Sequence, residues 1–266
     1  KFYRQGIDTE ETLADGFPST REELFQYKGL IIGSIESTFF TQEQLEMIVD
    51  FVSHRGGGFL MIGGRSSFSE GRYQNTPIAD ILPVQLPNSD STFVVENLKV
   101  QVSDYGRTHP LMKLSPAGDE SVRQWEDLPL LTEFNRVSEA KVGAIVLANG
   151  QMIETSSRDR PVLLVYQRYG RGRTMAFTTS SSWRWQMEMD HEDMTHELFW
   201  RQILRWLVSS SPDAVMASSE RDSYVPGEAV RLFADISDDS FERMNNADVV
   251  GRFIDPDGNT RVVPFE

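Results

Sequence analysis

The sequence predicts an α/β domain followed by a smaller β-rich segment. Three observations carry this. Gly29–Gly33 and Phe59–Ile62 are short apolar runs bounded by glycines. A segment with helical periodicity joins them. Beyond Pro212 helical periodicity stops, and short alternating runs with turn signals take over. The division falls at residues 1–212 and 213–266.

Leu30-Ile31-Ile32 fits a buried strand. Thr41 and Gln44 form a capping-box pair, and Leu45, Ile48, Val49 and Val52 then recur at helical spacing. Gly56-Gly57-Gly58 ends the helix, and Gly63-Gly64 ends the strand after it. Strand, helix and strand in about 35 residues make a βαβ unit with parallel strands. The middle is interrupted by Pro77, Pro83 and Pro87. Phe93–Val102 alternates in part, as a half-exposed strand would, and 103–139, with Pro110, Pro116 and Pro129, is expected to be a long irregular excursion. Ala144–Leu147, Val162–Tyr166 and Thr174–Thr178 are β-rich, with a hairpin turn at Tyr169–Arg173. A last helix over Met194–Val208 carries Leu198, Phe199, Ile203, Trp206 and Leu207 on one stripe. In the tail, Val230–Ile236 and Val249–Ile254 are strand-like, and Pro256–Asn259 is a turn.

Composition removes several function classes. The 266 residues carry 26 Lys and Arg against 40 Asp and Glu, a net charge of −14. That argues against a nucleic-acid backbone or an anionic membrane face as the main partner. No apolar run reaches the ~18 residues of a membrane span. The chain has no cysteine. Disulfides, thiolate metal sites and cysteine nucleophiles are therefore excluded. The chain starts at Lys1 and stops at Glu266, so it is expected to be cut from a longer polypeptide.

A resemblance covers about residues 1–210. It rests on Asp15–Pro18, Arg21–Tyr27, Phe51–Gly64, Thr76–Ala79, Leu82–Val84, His109–Met112 and Trp183-Arg184-Trp185. These resemble the glutamine amidotransferase-like domains of large bacterial membrane proteins, which often also carry a von Willebrand factor A domain. The tail, with Tyr224–Glu228, resembles bacterial immunoglobulin-like or macroglobulin-like domains. The resemblance implies a flavodoxin-like three-layer sandwich of the class I amidotransferase kind, then a truncated immunoglobulin-like β-sandwich. It implies an extracytoplasmic, periplasmic location, with the membrane reached only through segments outside this chain. It also implies where chemistry would sit. Active members place a cysteine on a tight turn after a strand and a histidine base late in the domain. The turn here is Gly63-Gly64-Arg65-Ser66, and Ser180-Ser181-Ser182-Trp183-Arg184-Trp185 stands where the histidine would follow. Nucleophile and base are both absent, so only the fold carries over.

The candidate cleft residues are Glu36, Gly63, Gly64, Arg65, Ser66, Ser182, Trp183, Arg184 and Trp185. Gly63–Ser67 reads as an anion cradle, as a serine nucleophile at Ser66, or as a glycine turn ending a strand. If Trp183–Trp185 is extended, both indoles lie on one side, as a ligand platform or as core packing. Glu36, after the first strand, is expected at the same sheet edge. His191 and His196 are five residues apart, about 140° around a helix, which does not suit a shared metal. No catalytic residue, metal or cofactor is assigned. The expected partner is an unknown protein or small molecule, with no nucleic acid. Three functions follow: a non-catalytic binding or structural module of an envelope protein, a hydrolase of changed serine or carboxylate chemistry at the same cleft, or a small-ligand or glycan sensor.

Overall fold

A computed structural model describes residues 16–89, 91–115, 118–153, 159–255 and 257–264. Asp15, Pro116 and Pro256 lie outside the described residues. The chain divides into two compact units, Lys1–Ser211 and Pro212–Glu266.

In the first unit, α1 (Arg21–Phe25) precedes β1 (Gly29–Gly33). Helix α2 (Gln42–Ser53) starts at the expected capping box: the Gln44 amide donates to Thr41 Oγ1 at 3.2 Å, and the Thr41 amide to Gln44 Oε1 at 3.0 Å. Its Leu45, Ile48, Phe51 and Val52 are buried. β2 (Gly58–Ile62) then pairs parallel with β1, Leu30 beside Phe59.

The middle is more regular than the sequence suggested. Pro77 does not break the chain but opens α3 (Pro77–Ile81), where a missing N–H costs nothing. The run Phe93–Val102 splits into β3 (Phe93–Val94) and β4 (Leu98–Val102), which belong to different sheets. The expected excursion holds α4 (Asp104–Thr108), capped by Ser103, then a 3-10 turn at Pro110–Met112, α5 (Gly118–Asp127) and β5 (Phe134–Asn135). Trp125 anchors it: the ring is buried, and its Nε1 donates to the Met112 carbonyl at 2.7 Å.

β6 (Ile145–Met152), β7 (Val162–Tyr169) and β8 (Gly172–Phe177) follow, and a two-residue loop joins β7 to β8. The helices α6 (Trp183–Glu188) and α7 (Thr195–Val208) complete the unit. The sheet order is β1-β2-β8-β7-β6-β4. β1, β2 and β8 run parallel, while β7, β6 and β4 join by antiparallel pairing. The sheet is thus mixed, which fits a flavodoxin-like amidotransferase fold with a meander on one side. One face packs Leu60, Leu164, Met175 and Phe177 against Trp125, Trp185, Phe199, Ile203 and Leu207 in one cluster. Phe59 and Met61 alternate with Leu60 and turn the other way. At α7, Phe199, Ile203 and Leu207 are buried, whereas Leu198 and Trp206 are only half-buried.

The second unit differs from the expected β-sandwich. β9 (Val215–Ser219) pairs antiparallel with β10 (Leu232–Ile236), and β11 (Val250–Ile254) with β12 (Thr260–Pro264). These are two separate two-stranded sheets. Leu232, Phe233, Phe253, Ile254 and Val262 are exposed, so no sandwich core forms among the described residues.

Candidate functional site

The carboxyl ends of β1, β2 and β8 meet at one sheet edge, where parallel sheets commonly place ligands. The loops leaving them begin at Ser34, Gly63 and Thr178. A cavity of about 380 Å³ opens there, lined by Ser34, Gly64, Arg65, Phe93, Val95, Thr132, Glu133 and Ser180.

The turn after β2 is built by close approach. A Cβ on Gly63 would stand 2.4 Å from the Thr178 carbonyl oxygen, a distance real side chains do not reach. Gly64 adopts φ 142°, which favours glycine. Asn135 clamps it from β5: its Oδ1 accepts from the Gly64 amide at 2.7 Å, and its Nδ2 donates to the Gly64 carbonyl at 3.0 Å. The Asn135 amide in turn donates to the Thr178 carbonyl at 2.7 Å, joining the turn after β2 to the one after β8. Ser67 Oγ accepts from the Ser34 amide at 3.0 Å. Ser34 itself has φ 50°, a strained backbone at the rim of the cavity.

Glu133 supplies the acidic wall. Its Oε1 accepts from the Ser180 amide at 2.8 Å, Ser180 Oγ at 2.9 Å and Thr179 Oγ1 at 3.2 Å. Its Oε2 is enclosed and has no hydrogen-bond donor among the described residues. Arg65 supplies the opposite charge. Its guanidinium lies 4.9 Å from the centre of the Phe93 ring and forms no salt bridge among the described residues. Phe93 is held in place by Glu70, whose Oε1 accepts from the Phe93 amide at 2.7 Å and also from the Thr92 amide.

The expected residues divide on placement. Gly64 and Arg65 line the cavity, with buried Gly63 directly behind them. Ser66 is half-buried beside the turn but does not line the cavity, and no base lies within hydrogen-bond distance of its hydroxyl among the described residues. Glu36 is exposed at a 3-10 turn, accepting from Thr38 Oγ1 at 3.3 Å, away from the cavity lining. The Trp183–Trp185 segment is helical, not extended, because α6 begins there. Two residues along a helix turn by about 200°, so the indoles part. Trp185 is buried and donates from Nε1 to the Pro129 carbonyl at 3.0 Å, whereas Trp183 is exposed. Arg184 pairs with Glu188 on the same helix, and Ser182 is buried at its start. None of these four lines the cavity. Ser34, Phe93, Thr132, Glu133 and Asn135 were not singled out from the sequence. Glu133 and Asn135 lie in the stretch expected to be irregular, where no spacing marks them. Only Ser34, directly after a strand at the ligand-binding edge, carried a usable signal.

Among the described residues no group of three or more His, Asp or Glu is placed to hold a metal. His109 sits elsewhere, against β7. Its Nδ1 accepts from the Leu111 amide at 3.3 Å, and its Nε2 meets Tyr166 Oη at 3.1 Å. Burial lowers its pKa from the ordinary histidine value and raises that of Tyr166.

The profile of a protein family described as "putative glutamine amidotransferase" matches residues 5–209. Two solved structures share the fold. The cytoplasmic protein STM3548 from Salmonella typhimurium is 25% identical, with a TM-score of 0.56, over 73% of this chain and 76% of that one. The cytoplasmic protein STM1381 from Salmonella typhimurium LT2 is 26% identical, also with a TM-score of 0.56, over 72% and 76%. No curated protein matches the chain. These neighbours overturn the expected periplasmic location, since both are described as cytoplasmic proteins. No helix among the described residues is long and apolar enough to cross a membrane.

Proposed function

We propose a binding role, not glutamine hydrolysis, for this chain, which belongs to the glutamine amidotransferase-like family. One observation carries the proposal. The turn where the family resemblance places the nucleophile holds Arg65 and Ser66, and the chain contains no cysteine. Amide cleavage of the family kind needs a strong nucleophile and a base to activate it. Ser66 lacks a base among the described residues, and the hydroxyl of Ser67 accepts from the Ser34 amide. What remains is a small cavity with a cation on one wall and a carboxylate on another. Arg65 suits a ligand carboxylate, and the negative charge of Glu133 in the cavity wall suits an ammonium. The proposed ligand is therefore a small zwitterion of the amino-acid type.

Calorimetry and thermal unfolding with L-glutamine and L-glutamate test this. The expected result is a stabilisation of about 1.4 kcal/mol at ligand tenfold above Kd, lost in both Arg65→Gln and Glu133→Gln. No stabilisation by any amino acid at about 10 mM would remove the proposal.

A second reading has one contact in its favour. Ser180 Oγ lies 2.9 Å from Glu133 Oε1, a serine and carboxylate pair open to the cavity. That oxygen also accepts from the Ser180 amide and from Thr179, so the carboxylate first serves its own loop. Ester or amide turnover abolished by Ser180→Ala would favour this hydrolase over the binding role.

A further inference from the structure

A second cavity, of about 500 Å³, lies at the other side of the sheet, along edge strand β4. The antiparallel register sets Lys99 opposite Gln151 and Gln101 opposite Asn149. Strand alternation therefore lays these four polar side chains on one face, and all four line the cavity. Gln101 Nε2 donates to Gln151 Oε1 at 2.6 Å. That bond uses one donor and one acceptor, leaving the Gln151 amide N–H groups and the Gln101 carbonyl oxygen for a ligand. Arg107, at the end of α4, and Arg160 add two more cations.

Three cations share this cavity. The protein carries a net charge of −14. Lys99, Arg107 and Arg160 form no salt bridge among the described residues, although they share one cavity. Asp104 and Glu126 also line it. A bare anion would meet both attraction and repulsion there. A ligand with an anionic end and several hydroxyls would meet guanidinium and ammonium at the anion, amides and carboxylates at the hydroxyls, and Val122 and Trp125 at its apolar face.

We infer that this cavity binds a phosphorylated polyol or sugar, with Lys99, Arg107 and Arg160 at the phosphate. The site is separate from the β1, β2 and β8 edge and does not depend on the zwitterion cavity. Calorimetric titration of the full chain with glucose 6-phosphate, inorganic phosphate and glucose tests it. Glucose 6-phosphate is expected to bind saturably and more tightly than inorganic phosphate, with glucose alone silent. The double variant Lys99→Gln, Arg160→Gln, checked for an unchanged unfolding temperature, is expected to weaken binding about tenfold or more. Arg65→Gln is expected to leave it unchanged, which separates this site from the other cavity. Absence of saturable binding up to about 10 mM, equal binding by the double variant, or tighter binding of an acidic peptide than of glucose 6-phosphate would each overturn the inference.

Discussion

Asn135 holds the turn after β2. It satisfies both backbone groups of Gly64, and its own amide ties to Thr178. Asn135→Ala leaves the buried Gly64 amide without a partner, while the Gly64 carbonyl keeps only a 3.3 Å bond from the Ser67 amide. The expected cost is about 1–3 kcal/mol, read from chemical denaturation, with ligand binding at the cavity lost as well. Gly63→Ala forces a Cβ into the Thr178 carbonyl and is expected to cost about 1–3 kcal/mol. His109 gives the pH dependence. Its Nδ1 accepts from Leu111, so the neutral ring is the one that fits, and burial lowers its pKa in the folded state. The stability from His109 is therefore present above about pH 6.5 and is lost as pH falls through the lowered folded value. His196 is shifted the same way by burial, although Glu197 opposes it. Denaturation curves between pH 7 and 5 are expected to be less steep in pH for His109→Gln than for the parent. An unchanged slope would remove His109 from that account.

Helix α6 shows how a motif can be read in the wrong geometry. Two tryptophans flanking an arginine look alike in a strand and in a short helix, and six residues are too few for periodicity to decide. The structure separates them: Trp185→Ala is expected to cost about 3–5 kcal/mol, whereas Trp183→Ala, on the exposed face, should stay within about 0.5 kcal/mol. Equal effects would contradict the helical assignment. The βαβ unit, by contrast, was legible because it is governed by local rules. Thr41 and Gln44 mark the helix start, glycines mark the strand ends, and the pairing follows. The stretch 103–139 was not legible. Its helices are five and ten residues long, and its order comes from tertiary anchors such as Trp125 and Asn135, which no sequence spacing reveals. For the same reason Arg65 could be named from its place in the turn while Glu133 could not.

At the scale of the whole molecule, the apolar core lies in the first unit. No hydrophobic side chain of Pro212–Glu266 is buried among the described residues. A chain ending at Ser211 is therefore expected to keep its cooperative unfolding, with a midpoint within about 3 °C of the full chain. A fall of more than about 10 °C would show that the tail supports the first unit. The acidity also divides: residues 214–266 hold 11 Asp and Glu against 5 Lys and Arg, so much of it belongs to the tail and not to the cavities. On the proposed binding role, an amidotransferase-like fold keeps its cleft without the amide chemistry. Ammonia release from L-glutamine by the purified chain tests this most directly. The account predicts no release above the uncatalysed background, unchanged by Ser66→Ala or Ser180→Ala. Enzymatic release abolished by either substitution would contradict it.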